Sequence, residues 1–292
     1  MKRRALVVST GALLLSGAAA VVLSRVVAAP PRRRSGAARV VSLSPALTET
    51  TLALGAGEQL VGVSDFCELP PGKTLPRVGS ALTPNHEAIV ALEPSVILCD
   101  ASVGSKGRSL AALAPCEILP WLTLSEVVQS TRRLGQVLNA NARASALAER
   151  LATRLSRPAP PGAPRVLLLL SYDATRPAEL WFIKRNSLHG AALTAAGARN
   201  AVDRDVTGLP RLGVEELVAL DPDVVLIIPP PGSSAASRNS QHLVDAFAGL
   251  VPLRAVQQKR VAVVNGTQSV GPSILQLVDA LALALVSLQR TE

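Results

Sequence analysis

His86-Glu87-Ala88-Ile89-Val90-Ala91-Leu92-Glu93-Pro94-Ser95-Val96-Ile97-Leu98 decides the fold, because Val214-Glu215-Glu216-Leu217-Val218-Ala219-Leu220-Asp221-Pro222-Asp223-Val224-Val225-Leu226 repeats its pattern further along the chain. In both stretches a Glu leads a short helical segment, a Pro stands seven residues after that Glu, and a continuous apolar strand follows at once. The echo predicts two lobes built on one helix–Pro–strand unit, with pseudo-equivalent surfaces.

Outward from these units, apolar runs alternate with helix-like segments. Residues 40–43 read as strand, 47–54 as helix, 60–63 as strand, 86–92 and 96–98 as the first unit, then 109–113 as helix and 117–119 as strand. The second half repeats the alternation: strand 166–170, helices 187–196 and 214–220, strand 224–228, helix 244–250, strand 261–264 and a closing helix 273–288. Apolar strands alternating with helices imply parallel sheets covered on both faces. Between the halves, residues 124–157 contain no Pro, and apolar residues recur there in steps of three and four, from Leu124, Val127 and Val128 to Leu147, Leu151 and Leu155. This predicts one long helix reaching on the order of 50 Å, about the height of two stacked lobes. The expected fold class is α/β: two parallel-sheet lobes, residues 39–123 and 164–292, bridged by one long α-helix at 124–157.

The chain has 292 residues, 48% hydrophobic, 17% charged and 2% aromatic, which is ample apolar material for two cores. Six aromatic rings are too few for a stacking platform along a nucleic acid strand. The net charge of +9 concentrates at the start: Lys2, Arg3, Arg4, Arg25, Arg32, Arg33 and Arg34 stand where no acid occurs. Removing these seven leaves 23 basic against 21 acidic residues, a nearly neutral body, so no nucleic acid partner is expected. Residues 1–29 read as an export signal: a basic start, an uncharged apolar run, then small residues around Val26-Val27-Ala28-Ala29. Cleavage after Ala28 and retention as an inner-membrane anchor both fit, since the run is long enough to span a bilayer. Either way the body lies in the periplasm or outside the cytoplasm, after a basic linker at 30–38.

Catalytic and cofactor motifs are missing. Gly55-Ala56-Gly57 lacks the third glycine of a dinucleotide loop, Gly104-Ser105-Lys106-Gly107-Arg108-Ser109 has the wrong spacing for a phosphate loop, and there is no Gly-x-Ser-x-Gly elbow. His86, His189 and His242 have no second ligand at a metal spacing. No enzyme activity, cofactor or metal site is expected. Of the three cysteines, Cys67 and Cys99 each follow a strand-like run whereas Cys116 opens one, so a bridge, if formed, would join Cys67 to Cys99. Three buried small hydrophobes is the other reading.

Arg39-Val40-Val41-Ser42-Leu43-Ser44-Pro45-Ala46-Leu47-Thr48-Glu49, the run from Leu54 to Ser64, the Pro70-Pro71 loop, Arg77-Val78-Gly79 and the unit from Glu87 to Leu98 resemble the periplasmic receptors for vitamin B12, ferric siderophores and haem. The resemblance covers residues 39 to about 290. It implies two α/β lobes joined by one long helix, and a monomeric receptor that hands a small solute (corrinoid, siderophore or haem) to an ABC permease. It further implies one docking Glu per lobe, matched by Glu87 and Glu215, with Glu216 as competitor. A helix-start carboxylate favoured by the macrodipole is the plainer reading of both. The pocket would lie between the lobes at strand-end loops: Ser44-Pro45, Asp65-Phe66, Ser80-Ala81-Leu82, Ser171-Tyr172, Trp181-Phe182 and Leu209-Pro210-Arg211. Phe66 matches an aromatic position of the B12 receptor, whereas Ala81 and Leu209 stand where that receptor carries tryptophans. Trp181 then becomes the candidate ring and Arg211 the candidate anion partner, against core packing for the one and a solvated charge for the other. Two further readings are an exported α/β enzyme and a receptor for a free metal ion. The missing motifs and the lack of clustered His, Asp and Glu weigh against these.

Overall fold

Val40 and Arg165 begin the strands around which the two lobes assemble. In the N-terminal lobe β1 (Val40–Ser42), α1 (Pro45–Ala53), β2 (Leu60–Val63), α2 (His86–Ala91), β3 (Val96–Cys99), α3 (Gly107–Ala111) and β4 (Cys116–Ile118) form an all-parallel sheet ordered β2-β1-β3-β4. The computed structural model describes residues 38–170, 180–229, 244, 245, 247, 253–264 and 271–289. The leader at 1–29, the linker apart from Ala38, Ser171-Tyr172 and His242 lie outside them. Of the expected helix at 244–250, residues 244, 245 and 247 are described and helical.

The segment 124–157 departs from expectation. It holds two helices, α4 (Leu124–Val137) and α5 (Asn141–Leu155), instead of one. A capping box opens α4: the Thr123 hydroxyl accepts from the Glu126 N–H at 3.3 Å, and the Glu126 carboxylate accepts from the Thr123 N–H at 2.9 Å. Asn139, at φ 55°, ends it. The Ala140 N–H bonds the Gly135 carbonyl at 2.7 Å and the Asn139 N–H bonds that of Gln136 at 3.4 Å, the paired bonds of a Schellman stop with Asn in the left-handed position. The small residues Gly135 and Ala144 then let the helices close on each other, since a Cβ on Gly135 would lie 2.3 Å from the Ala144 methyl. The Gln59 side chain reaches the Leu138 carbonyl at 3.1 Å, placing the turn beside the N-terminal lobe. The far ends meet the other lobe, through the Leu188 N–H on the Leu122 carbonyl at 3.2 Å and an Arg154–Asp279 ion pair. The lobes are thus joined by an antiparallel helical hairpin, whose second helix alone carries the chain across.

The C-terminal lobe contains β5 (Arg165–Leu170), β6 (Leu180–Trp181), α6 (Leu188–Ala195), β7 (Arg199–Asn200), β8 (Arg211–Leu212), α7 (Val214–Leu220), β9 (Val224–Ile228), α8 (Arg254–Gln257), β10 (Val261–Val263) and α9 (Ile274–Gln289). Its parallel sheet is ordered β10-β9-β5-β7, and β6 pairs with β8 in a separate antiparallel ladder. Counted within its own lobe, each large sheet runs second, first, third, fourth strand. The sequence echo therefore extends to register: Val40 faces Val96 and Val166 faces Val224, with the following residues in step.

The repeated turn uses the same devices in both lobes. Glu93 at φ 43° and Asp221 at φ 37° both adopt the left-handed conformation just before the Pro. The Arg39 guanidinium donates to the Leu92 carbonyl at 2.6 Å, and that of Arg165 to the Leu220 carbonyl at 3.0 Å, so a cation satisfies the end of each helix. The Arg39 N–H donates to the Ser95 hydroxyl and the Arg165 N–H to the Asp223 carboxylate, both at 2.8 Å. Each device locks the third strand beside the first.

No Cys67–Cys99 bridge forms. The sheet order places β1 between β2 and β3, and Cys67 is held instead by the Thr48 and Ser64 hydroxyls, each at 3.1 Å. Cys99 lies 3.6 Å, sulfur to sulfur, from Cys116, and all three thiols are free. Ile97 is the register partner of Cys116, so the thiol pair is diagonal, with Cα atoms about 8 Å apart by strand geometry and beyond ordinary disulfide reach.

Candidate functional site

Helix α1 starts directly after β1, which puts Ser44 and Pro45 at the carboxyl edge of the N-terminal sheet, where open α/β folds bind ligands. Pro45 is exposed at the first helical position, while Ser44 is buried and its hydroxyl makes no cap. That hydroxyl is a buried polar atom without a hydrogen-bond partner among the described residues. The next loop is stapled: the Arg77 guanidinium donates to the carbonyls of Ser64 at 2.7 Å and Cys67 at 2.6 Å. Between those anchors Phe66 projects with 73% of its surface exposed. A turn at Gly79, bridged to Pro84, buries Ala81 in the core with Val41, Val78 and Ile89, and presents Leu82 at 67% exposure. At this loop the apolar side chain on offer is therefore Leu82, and Ala81 is its buried anchor.

The C-terminal wall is built on the β6–β8 ladder, where Trp181 and Arg211 are register partners and the guanidinium lies 5.5 Å from the ring centroid. Phe182, buried, anchors β6, and its N–H bonds the Pro210 carbonyl at 3.0 Å, fixing the loop that exposes Leu209 by 69%. Trp181 is half-buried and Arg211 exposed. The structure thus joins Trp181, Leu209 and Arg211 in one cluster. Ser44, Pro45, Phe66 and Leu82 form the corresponding edge of the other lobe. Two-residue strands leave no periodicity in the sequence, so the ladder that unites Trp181 with Arg211 carried no signal there. A shallow depression lined by Pro164, Val224, Arg260, Leu285, Leu288 and Gln289 lies at the opposite, amino edge of the C-terminal sheet. Among the described residues no group of three or more His, Cys, Asp and Glu could hold a metal ion. No helix there is long and apolar enough to cross a membrane.

Glu87 and Glu215 are exposed in the first turns of α2 and α7 and make no ion pair among the described residues. Glu216 is engaged by Arg204. Two residues after each exposed Glu stands a buried anchor, Ile89 or Leu217, and three residues after it an exposed valine, Val90 at 54% and Val218 at 46%.

The sequence profile described as "Periplasmic binding protein" matches residues 40–266. A vitamin B12-binding protein of Pectobacterium atrosepticum is 30% identical over 220 residues, covering 70% of this chain and 75% of its own. A cobalamin-binding protein of Halobacterium salinarum is 28% identical over 202 residues, and the match spans about half, 53%, of that relative's length. A solved periplasmic haem-binding protein of Pseudomonas aeruginosa superposes with a TM-score of 0.66 at 28% identity, covering 86% of this chain and 92% of its own. The family is one of binding proteins and not of enzymes. With two like-wound parallel lobes and a profile match over most of its length, the chain belongs to the periplasmic binding protein family.

Proposed function

We propose that this protein is the extracytoplasmic solute receptor of an ABC importer, taking a corrinoid or a related metal-chelate ligand between its lobes and docking on the permease through Glu87 and Glu215. The observation that carries this reading is the pairing of exposed apolar groups at both carboxyl edges with one exposed guanidinium. Phe66 and Leu82 stand on one lobe, Leu209 and the Arg211–Trp181 pair on the other. A large ring ligand with peripheral carboxylates or amides suits that set. Burying an exposed Phe or Leu contributes about 1.5–3 kcal/mol, and Arg211 supplies a directional partner for an anionic group. The similarity to a B12-binding relative favours a corrinoid, and the likeness to a haem-binding structure makes haem the second reading. A ferric siderophore is the third. Titration with cyanocobalamin, cobinamide, haemin and ferric siderophores is expected to give saturable 1:1 binding to at least one. No binding to any of them, with turnover of an unrelated substrate, would replace the receptor by an exported enzyme.

A further inference from the structure

We infer that Glu49 is an interlobe latch: a carboxylate on the first helix of the N-terminal lobe that grips the amino end of the last helix of the C-terminal lobe and so sets the width of the cleft. Glu49 lies on α1, one turn past Pro45, and is partly buried. Its carboxylate accepts the backbone N–H of Ser273 through one oxygen and the Ser273 hydroxyl, at 3.1 Å, through the other. Ser273 immediately precedes α9, and its carbonyl accepts from the N–H groups of Gln276 at 2.9 Å and Leu277 at 3.2 Å, so it occupies the helix-capping position. Its own hydroxyl does not cap the helix; it turns outward to Glu49, and the carboxylate meets the positive end of a 16-residue helix.

A second residue is shaped to this contact. A Cβ added at Gly271 would lie 2.2 Å from one Glu49 oxygen and 2.6 Å from the carboxyl carbon. Gly271 does not have a left-handed φ, so its missing side chain makes room for the carboxylate and does not relieve a turn. Two positions more than two hundred residues apart thus fit one another across the lobes. Both helices follow the carboxyl ends of their preceding strands, β1 and β10, which places the latch on the same edge as Ser44 and Pro45. The helical hairpin resists wide hinge motion, and the latch closes the remaining freedom at the ligand edge.

The latch is independent of which solute binds; only its effect on affinity rests on the receptor reading. The test places nitroxide-bearing unnatural residues at Arg108 and Ala219, exposed on α3 and α7, and records the distance distribution by pulsed EPR without ligand. A single narrow distribution is expected for the parent protein. A broadened or longer one is expected for Glu49→Ala, Glu49→Gln and Gly271→Ala, the last by displacing the carboxylate, with partial rescue in Glu49→Asp. A fall in melting temperature with an unchanged distribution would make Glu49 a merely structural residue and overturn the inference, as would unchanged distributions in Glu49→Gln and Gly271→Ala. Cyanocobalamin affinity is expected to weaken about tenfold in Glu49→Gln, because fewer molecules hold the binding-competent width. Should the parent protein not bind cyanocobalamin, that reading of its ligand fails while the distance measurement still decides the latch.

Discussion

In the N-terminal lobe Arg39 grips the turn after α2; in the C-terminal lobe Arg165 does the same, and Arg254 adds ion pairs to Asp221 at 2.5 Å and Asp223 at 3.4 Å. The supporting charges differ, while the backbone path, the left-handed residue before the Pro and the buried anchors Ile89 and Leu217 are common. The comparison separates two kinds of shared residue. Arg39 and Arg165, Ser95 and Asp223, and the two anchors recur because the turn needs them. Glu87 and Glu215, with Val90 and Val218, recur on exposed helix faces where the turn needs nothing. An acid beside an apolar side chain, presented twice on topologically equivalent helices, suits the docking surface proposed above.

The largest effect is expected on docking. Glu87→Ala and Glu215→Ala should each weaken the complex with the permease by about 2–5 kcal/mol, the cost of removing one member of a desolvated charge pair, and leave solute affinity unchanged. Surface plasmon resonance against the permease in nanodiscs measures this. Glu216→Ala, whose partner is Arg204, should change docking little. A large effect from one lobe and none from the other would break the equivalence.

Next in size are the turn arginines. Arg165 is partly buried and Arg39 exposed, so in urea unfolding Arg165→Ala is expected to cost about 1.5–3 kcal/mol and Arg39→Ala about 1 kcal/mol or less. Equal costs would show that burial does not distinguish the two devices. Asp221→Gly relieves the left-handed φ but forfeits the Arg254 pair, and so should gain nothing.

The smallest effect is on pH dependence. The Arg254 guanidinium holds the Asp221 carboxyl below its ordinary value of 3.8. Its stabilising contribution is therefore present above that value and lost as pH falls through the lowered one. Hydrogen exchange should show the last turn of α7 loosening on acidification from pH 4, and Arg254→Ala should abolish the change. The ion pair is solvent-exposed, so the effect is small.

Much of this architecture was legible in the chain. The echo around Pro94 and Pro222 gave both third strands and the matched helices, because a continuous apolar run after a Pro has few other homes. What escaped depended on tertiary contact. Steps of three and four run through Leu134, Val137 and Leu138 without interruption, and only Asn139, with Gly135 and Ala144 placed for a close crossing, marks the hairpin. The cysteine pairing followed from strand ends, but sheet order, which local sequence does not contain, put β1 between the strands expected to bring Cys67 and Cys99 together. Of the candidate site, the loops at Ser44 and Phe66 follow strands that the apolar runs predict, whereas Leu209 was reached only through the family resemblance. The exchange of Ala81 for Leu82 as the presented residue depended on the Gly79 turn.

A calorimetric titration of the parent protein, Phe66→Ala and Arg211→Ala with whichever of cyanocobalamin and haemin binds the parent tests the central claim that one solute is held by both lobes. Each variant removes an exposed side chain from a different lobe. The account expects 1:1 stoichiometry throughout, with affinity at least tenfold weaker in both variants. Unchanged affinity in either one would confine the site to a single lobe and contradict it.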